Sequence, residues 1–123
     1  MKRLSLAVTV ALTFASPALA AERTTEAFYA DAAALKAKGA MALFSGKLRP
    51  LMQEGQATGE ALRQQRQAAI KRGEKPTYCP PQNAKMGSEE MLSGLGAIPQ
   101  NERRALPLSV GMLRVLQAKW PCR

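Results

Sequence analysis

The chain has 123 residues, 18 of them Lys or Arg against 9 Asp or Glu, giving a formal charge of +9; it holds two cysteines and no histidine. That length suits one small domain. Without histidine the usual general base is missing, so Ser-His-Asp and Cys-His catalysis cannot be assembled, and two cysteines alone fall short of a zinc site.

Lys2 and Arg3 precede an apolar run from Leu4 to Ala15, followed by Pro17 and the small-residue triplet Ala18-Leu19-Ala20. This pattern predicts a secretory signal peptide over residues 1–20, cleaved after Ala20. The run is shorter than the roughly 20 residues of a membrane span, and no second long apolar segment follows, so no transmembrane segment is expected after cleavage. The expectation is a Sec-exported, periplasmic domain, residues 21–123. Loss of Lys2 and Arg3 leaves it with a formal charge of +7. Basic exported proteins meet anionic envelope polymers or acidic partner proteins. Nucleic acid is not an expected partner, because export removes the chain from it and no basic element interleaves stacking aromatics.

From Thr24 to Phe44, Phe28, Ala32, Leu35, Gly39 and Ala42 recur at steps of 4, 3, 4 and 3, the period of an amphipathic helix. Thr24 or Thr25 can cap it, and Glu26 suits the positive end of its dipole. Ser45-Gly46 breaks the pattern. A second helix is expected from Leu48 to Arg72, with Leu48, Leu51, Met52, Gly55, Gly59, Leu62, Ala69 and Ile70 on its apolar face and Pro50 confined to its first turn. Gly55 and Gly59 each weaken it by about 1 kcal/mol relative to alanine. Their spacing marks either a close helix approach or a bend.

Residues Gly73 to Gly87, with three prolines, read as an irregular connection. Ser88 then resembles an N-cap, with Glu89 and Glu90 in the first turn and Met91, Leu92 and Leu95 facing inward up to Pro99. Asn101 opens a further turn through Glu102 and Arg103. The last helix runs from Pro107 or Ser109 to Lys119, with Val110, Leu113, Leu116 and Trp120 inward, and Pro121 stops it. No stretch sustains period-two alternation, so the fold class is all-α, a small bundle of about four helices whose short connections imply antiparallel neighbours.

Cys79 lies in TYCPPQNAKMG and Cys122 in KWPCR. An even pair in an exported chain points first to a disulfide, which would tie the central loop to the end of the last helix. Closing so long a loop constrains the unfolded chain by about 4 kcal/mol in the loop-entropy model. Pro80, Pro81 and Pro121 would stiffen the backbone beside each sulfur. An intermolecular bond, which would make a covalent dimer, is the other pairing that parity allows. A redox-active pair needs closer spacing.

Glu89-Glu90 is the one adjacent carboxylate pair, but consecutive helical residues project about 100° apart and cannot flank one bond. No Walker loop, GxGxxG or HExxH occurs. No catalytic residue, metal site or cofactor is therefore expected. The most distinctive surface is the polar side of the second helix, where Arg63, Gln64, Arg66, Gln67, Lys71 and Arg72 concentrate cations and amides. It reads either as a solvated helix face or as a docking face for an acidic groove. Trp120, the sole tryptophan, reads as a core anchor or an interface hot spot.

The stretch from Tyr78 to Cys122 resembles the Rap/Tai family of periplasmic immunity proteins, which protect bacteria against peptidoglycan amidases delivered by type VI secretion. The resemblance is carried by YCPP at Tyr78 to Pro81, the helix from Ser88, IPQNERRALPLS at Ile98 to Ser109, and KWPC at Lys119 to Cys122. It implies a small helical exported domain, often a homodimer, that blocks an amidase cleft by binding rather than by chemistry. Under it, the basic second helix or the loop around Cys79 would enter the cleft. The competing expectation is an envelope-associated structural or stress protein that binds anionic polymers through charge alone.

Overall fold

The structure, a computed structural model, describes residues 22–123; the expected signal peptide and its cleavage point lie outside the described residues. The described residues form five α-helices and one 3-10 helix, in order α1 Thr25–Ala37, the 3-10 helix Gly39–Phe44, α2 Leu48–Lys71, α3 Ser88–Ala97, α4 Gln100–Ala105 and α5 Leu108–Lys119. Among the described residues there is no strand, only an isolated bridge between Thr24 and Pro107. The all-α fold expected from the periodicity is the fold observed.

The bridge explains how the chain is closed. Thr24 caps α1, its hydroxyl accepting from the Ala27 N–H at 3.1 Å. Thr25 turns inward instead, fully buried, its N–H donating to the Leu106 carbonyl and its hydroxyl to that of Pro107. The proline before α5 offers no side-chain cap, and the Glu22 carboxylate fills that role from 87 residues away, accepting from the Ser109 N–H at 2.7 Å and hydroxyl at 2.9 Å. A carboxylate at a helix N-terminus satisfies an orphan donor and complements the dipole together.

Several boundaries differ from the sequence expectation. The first helix stops at Ala37, because Gly39 adopts φ +56°, a left-handed conformation that ends an α-helix. The following 3-10 turn leaves Met41, Leu43 and Phe44 66%, 74% and 84% exposed. Ser88 is the first helical residue of α3 and not its cap; Gly87 holds the cap position without a side-chain bond. The inward face of α5 is Leu108, Met112, Val115 and Leu116, so Val110 faces out, while Leu113 and Trp120 pack only partly buried against the core. Met52 and Ile70 of α2 are likewise half exposed.

The core joins Phe28, Leu62, Tyr78, Leu95, Ile98, Leu108, Met112, Val115 and Leu116. α1 packs against α2, α3, α4 and α5, and α3 against α5. These contacts are close because glycine stands at them. A Cβ on Gly94 would lie 2.5 Å from Val115 Cγ1, one on Gly96 2.8 Å from the Tyr29 hydroxyl, and one on Gly111 inside the van der Waals envelope of the Thr25 hydroxyl.

Beside them Arg103 of α4 is 8% exposed, donating to the Glu26 carboxylate and to the Gly96 and Ile98 carbonyls, with its guanidinium 4.3 Å from the Tyr29 ring centre. A buried charge requires this degree of pairing. Glu26, read from sequence as a dipole partner, is the counter-ion. The Arg103 hydrogen bond, helped by Gln100, holds its carboxyl below the usual glutamate value of 4.5.

Candidate functional site

α2 has 24 residues and spans about 36 Å, whereas α5, the helix it packs on most, has 12 and spans about 18 Å. A long helix laid on shorter ones keeps an apolar stripe uncovered. The covered part is C-terminal, where Leu62 and Ala69 are buried. Toward the N-terminus α2 stands away from α3, and between them lies a groove of about 1280 Å³.

Leu51, Met52 and Gly55 of α2 form one wall of the groove, Met91 and Leu92 of α3 with Pro80, Pro81 and Met86 of the central loop the other, and Phe28, Met112 and Leu116 reach it from the core. Trp120 lines it as well. From Leu48 to Arg66 the α2 wall runs about 27 Å. The lining is mostly apolar and open to water along its length.

The loop wall is held by the disulfide. Cys79 and Cys122 are bonded within the chain, with their Cα atoms 5.0 Å apart, so the intermolecular pairing is not the one formed. Beside the bond the Cys79 N–H donates to the Trp120 carbonyl at 2.9 Å, and the Gln117 amide donates to the Thr77 carbonyl at 3.0 Å. The loop that carries Pro80, Pro81 and Met86 is thus stitched to the end of α5. Asn83, at φ 60°, makes its turn.

The six polar residues singled out on α2 do not act as one surface. Arg63 and Arg66 line the groove. Arg63 makes a two-pronged bond to Glu60 at 2.8 and 2.7 Å, which lowers the Glu60 carboxyl and raises the guanidinium, and Gln64 donates to the same carboxylate. Arg72 pairs with Glu74 at 2.9 Å, away from the groove. Gln67 and Lys71 are exposed and line nothing. Arg66 lies 5.4 Å from the Tyr78 ring and has no carboxylate within 4.0 Å among the described residues.

Sequence reading missed the groove because its lining residues were counted as core. The available signal was the mismatch of lengths: an apolar stripe running through all of the second helix has no equally long partner in the rest of the chain. Among the described residues no cluster of three or more His, Cys, Asp or Glu could hold a metal, and no helix is long and apolar enough to cross a membrane. Comparison of the chain with protein-family models, with curated proteins and with solved structures gives no match.

Proposed function

We propose that this chain is an exported, non-enzymatic binding protein of the immunity type, an inhibitor that occupies a peptidoglycan amidase in the periplasm. One observation carries the reading: among the described residues, α2, α3 and the central loop enclose an open, mostly apolar groove of about 1280 Å³, one wall of which is stitched by a disulfide. An open apolar surface of this size marks a site where a protein partner docks. The YCPP and KWPC segments that resemble the Rap/Tai family are the two halves of that stitch, which makes the resemblance and the groove parts of one feature.

The test is protection. Each cysteine-and-histidine amidase found in the reading frames that neighbour this one is directed to the periplasm of cells grown with and without the chain, and the purified pair is titrated at low and moderate salt. The expected result is restored growth with a one-to-one complex that survives moderate salt. Lysis unaffected by the chain, with no complex formed, would overturn the reading. A chain that instead binds anionic envelope polymer and releases it steeply with salt is the structural protein of the competing expectation.

A further inference from the structure

We infer that the groove between α2 and α3 is a docking site for an acidic, amphipathic helix of a partner protein. The inference concerns the chemistry of the bound segment and does not depend on the partner being an amidase.

Shape argues for a helix. The groove is about 27 Å long, the length of about 18 helical residues, and its volume of about 1280 Å³ over that length is roughly half the cross-section of a helix 10–12 Å across, so a helix would lie half embedded in it. That exceeds the roughly 300–1000 Å³ of small-molecule pockets. Being open along one side, it would leave a bare acyl chain partly in water. An amphipathic helix has an apolar face for the floor and a polar face for the solvent. At one end Gly39 and Ala42 reach the lining, and the same 3-10 turn exposes Met41, Leu43 and Phe44, so the apolar surface continues beyond the groove.

Charge argues for acidity. The carboxylates in the lining are already engaged, Glu60 by Arg63 and Glu89 by Lys36 at 3.6 Å. That leaves Arg66 as the lining cation without a carboxylate partner among the described residues. Arg66 lines the groove, Lys38 precedes lining Gly39, Lys47 and Arg49 flank lining Leu48, and Lys85 separates lining Ala84 from Met86. Among the described residues none of these five has a carboxylate oxygen within 4.0 Å. An apolar trough with an unpaired arginine in its lining, and four exposed, unpaired cations next in sequence to lining residues, suits a helix with leucines on one face and glutamates along its edges better than a basic one.

The experiment uses the oxidised protein purified from periplasm and three fluorescent probes. These are a synthetic helix of about 15 residues with Leu at i, i+3, i+4 and i+7 and Glu elsewhere, its charge-inverted Lys twin, and a dansylated fatty acid. Anisotropy reports the probe, and emission of Trp120, which lines the groove, reports the site. The acidic helix is expected to bind at least about tenfold tighter than its Lys twin, and Met52→Glu to weaken it by about tenfold. Lys47→Glu and Lys85→Glu should each weaken it several-fold with a shallower salt dependence. Met52 is half exposed, so an unchanged thermal midpoint separates lost docking from lost folding.

Equal binding of the two helices, or no response to Met52→Glu, would overturn the inference. So would displacement of the acidic helix by the fatty acid, which would make the site one for anionic amphiphiles. A concentration-dependent dimer in sedimentation that Met52→Glu abolishes would overturn it too, since a second copy would then fill the groove.

Discussion

The two sides of this domain solve packing in opposite ways. Where α1, α3, α4 and α5 meet, glycines remove the side chains that would hold the helices apart, and a buried Arg103 bonded to Glu26 and two carbonyls locks the seam. On the α2 side the fit is looser: a Cβ on Gly55 would lie 3.3 Å from the Phe28 ring and one on Gly59 would meet only the end of Met112 at 3.8 Å, and the helix outruns the surface available to cover it. One side is closed by close approach, and the other is left open and braced from outside by a covalent bond. The same residue type therefore has opposite consequences depending on what stands opposite it.

The largest expected effect comes from the brace. Replacing Cys79 and Cys122 together with serine should lower stability by about 4 kcal/mol, measured by urea unfolding against the oxidised parent. Hydrogen exchange should rise first in the Pro80 to Gly87 wall and leave the Gly94 and Gly111 contacts protected. A uniform rise would mean that the two sides are one cooperative unit.

Next is a pair of alanine substitutions on opposite sides. Gly111→Ala should cost about 2 kcal/mol, because the new methyl group meets a threonine fixed by its own hydrogen bonds. Gly59→Ala should stabilise by about 0.5–1 kcal/mol, since the contact is ordinary and alanine favours the helix. Equal signs in thermal or denaturant unfolding would break the comparison. Met52→Gln, on the open wall, should change stability by no more than about 0.5 kcal/mol.

The smallest effect is confined to acid pH. Because Glu26 has a folded-state value held below its ordinary 4.5, its contribution is complete above that value and is lost as pH falls through the lower folded-state value. Glu26→Gln should thus be less stable than the parent at neutral pH, with the difference shrinking below pH 4.5. A stability profile parallel to the parent through that range would remove Glu26 from the acid response.

Much of the fold was legible because it is local. The 3.6-residue stripe, the Ser45-Gly46 and Gly73 breaks, the proline-marked ends and the parity of the cysteines each require only neighbouring residues or a count. What was not legible is non-local. Val110 and Met112 are both apolar and nearly adjacent, and only the placement of α1 and α3 decides that Met112 is inside. Arg103 reads as one more surface cation until Glu26, 77 residues away, is brought against it. The α2 cations read as one patch, yet Arg63 and Arg72 are drawn to Glu60 and Glu74 while Arg66 leans over Tyr78.

By itself, then, the sequence determined the all-α class, the even cysteine pair that makes the disulfide and the positions of most helix ends, because backbone propensity and chain connectivity act over a few residues; that the bond closes within the chain came from the structure. The tertiary structure alone decided which apolar stripe stays uncovered. That depends on relative lengths and on close approach: a 24-residue helix packed on a 12-residue one, beside helices drawn together at Gly94, Gly96 and Gly111, leaves a groove that no local pattern encodes.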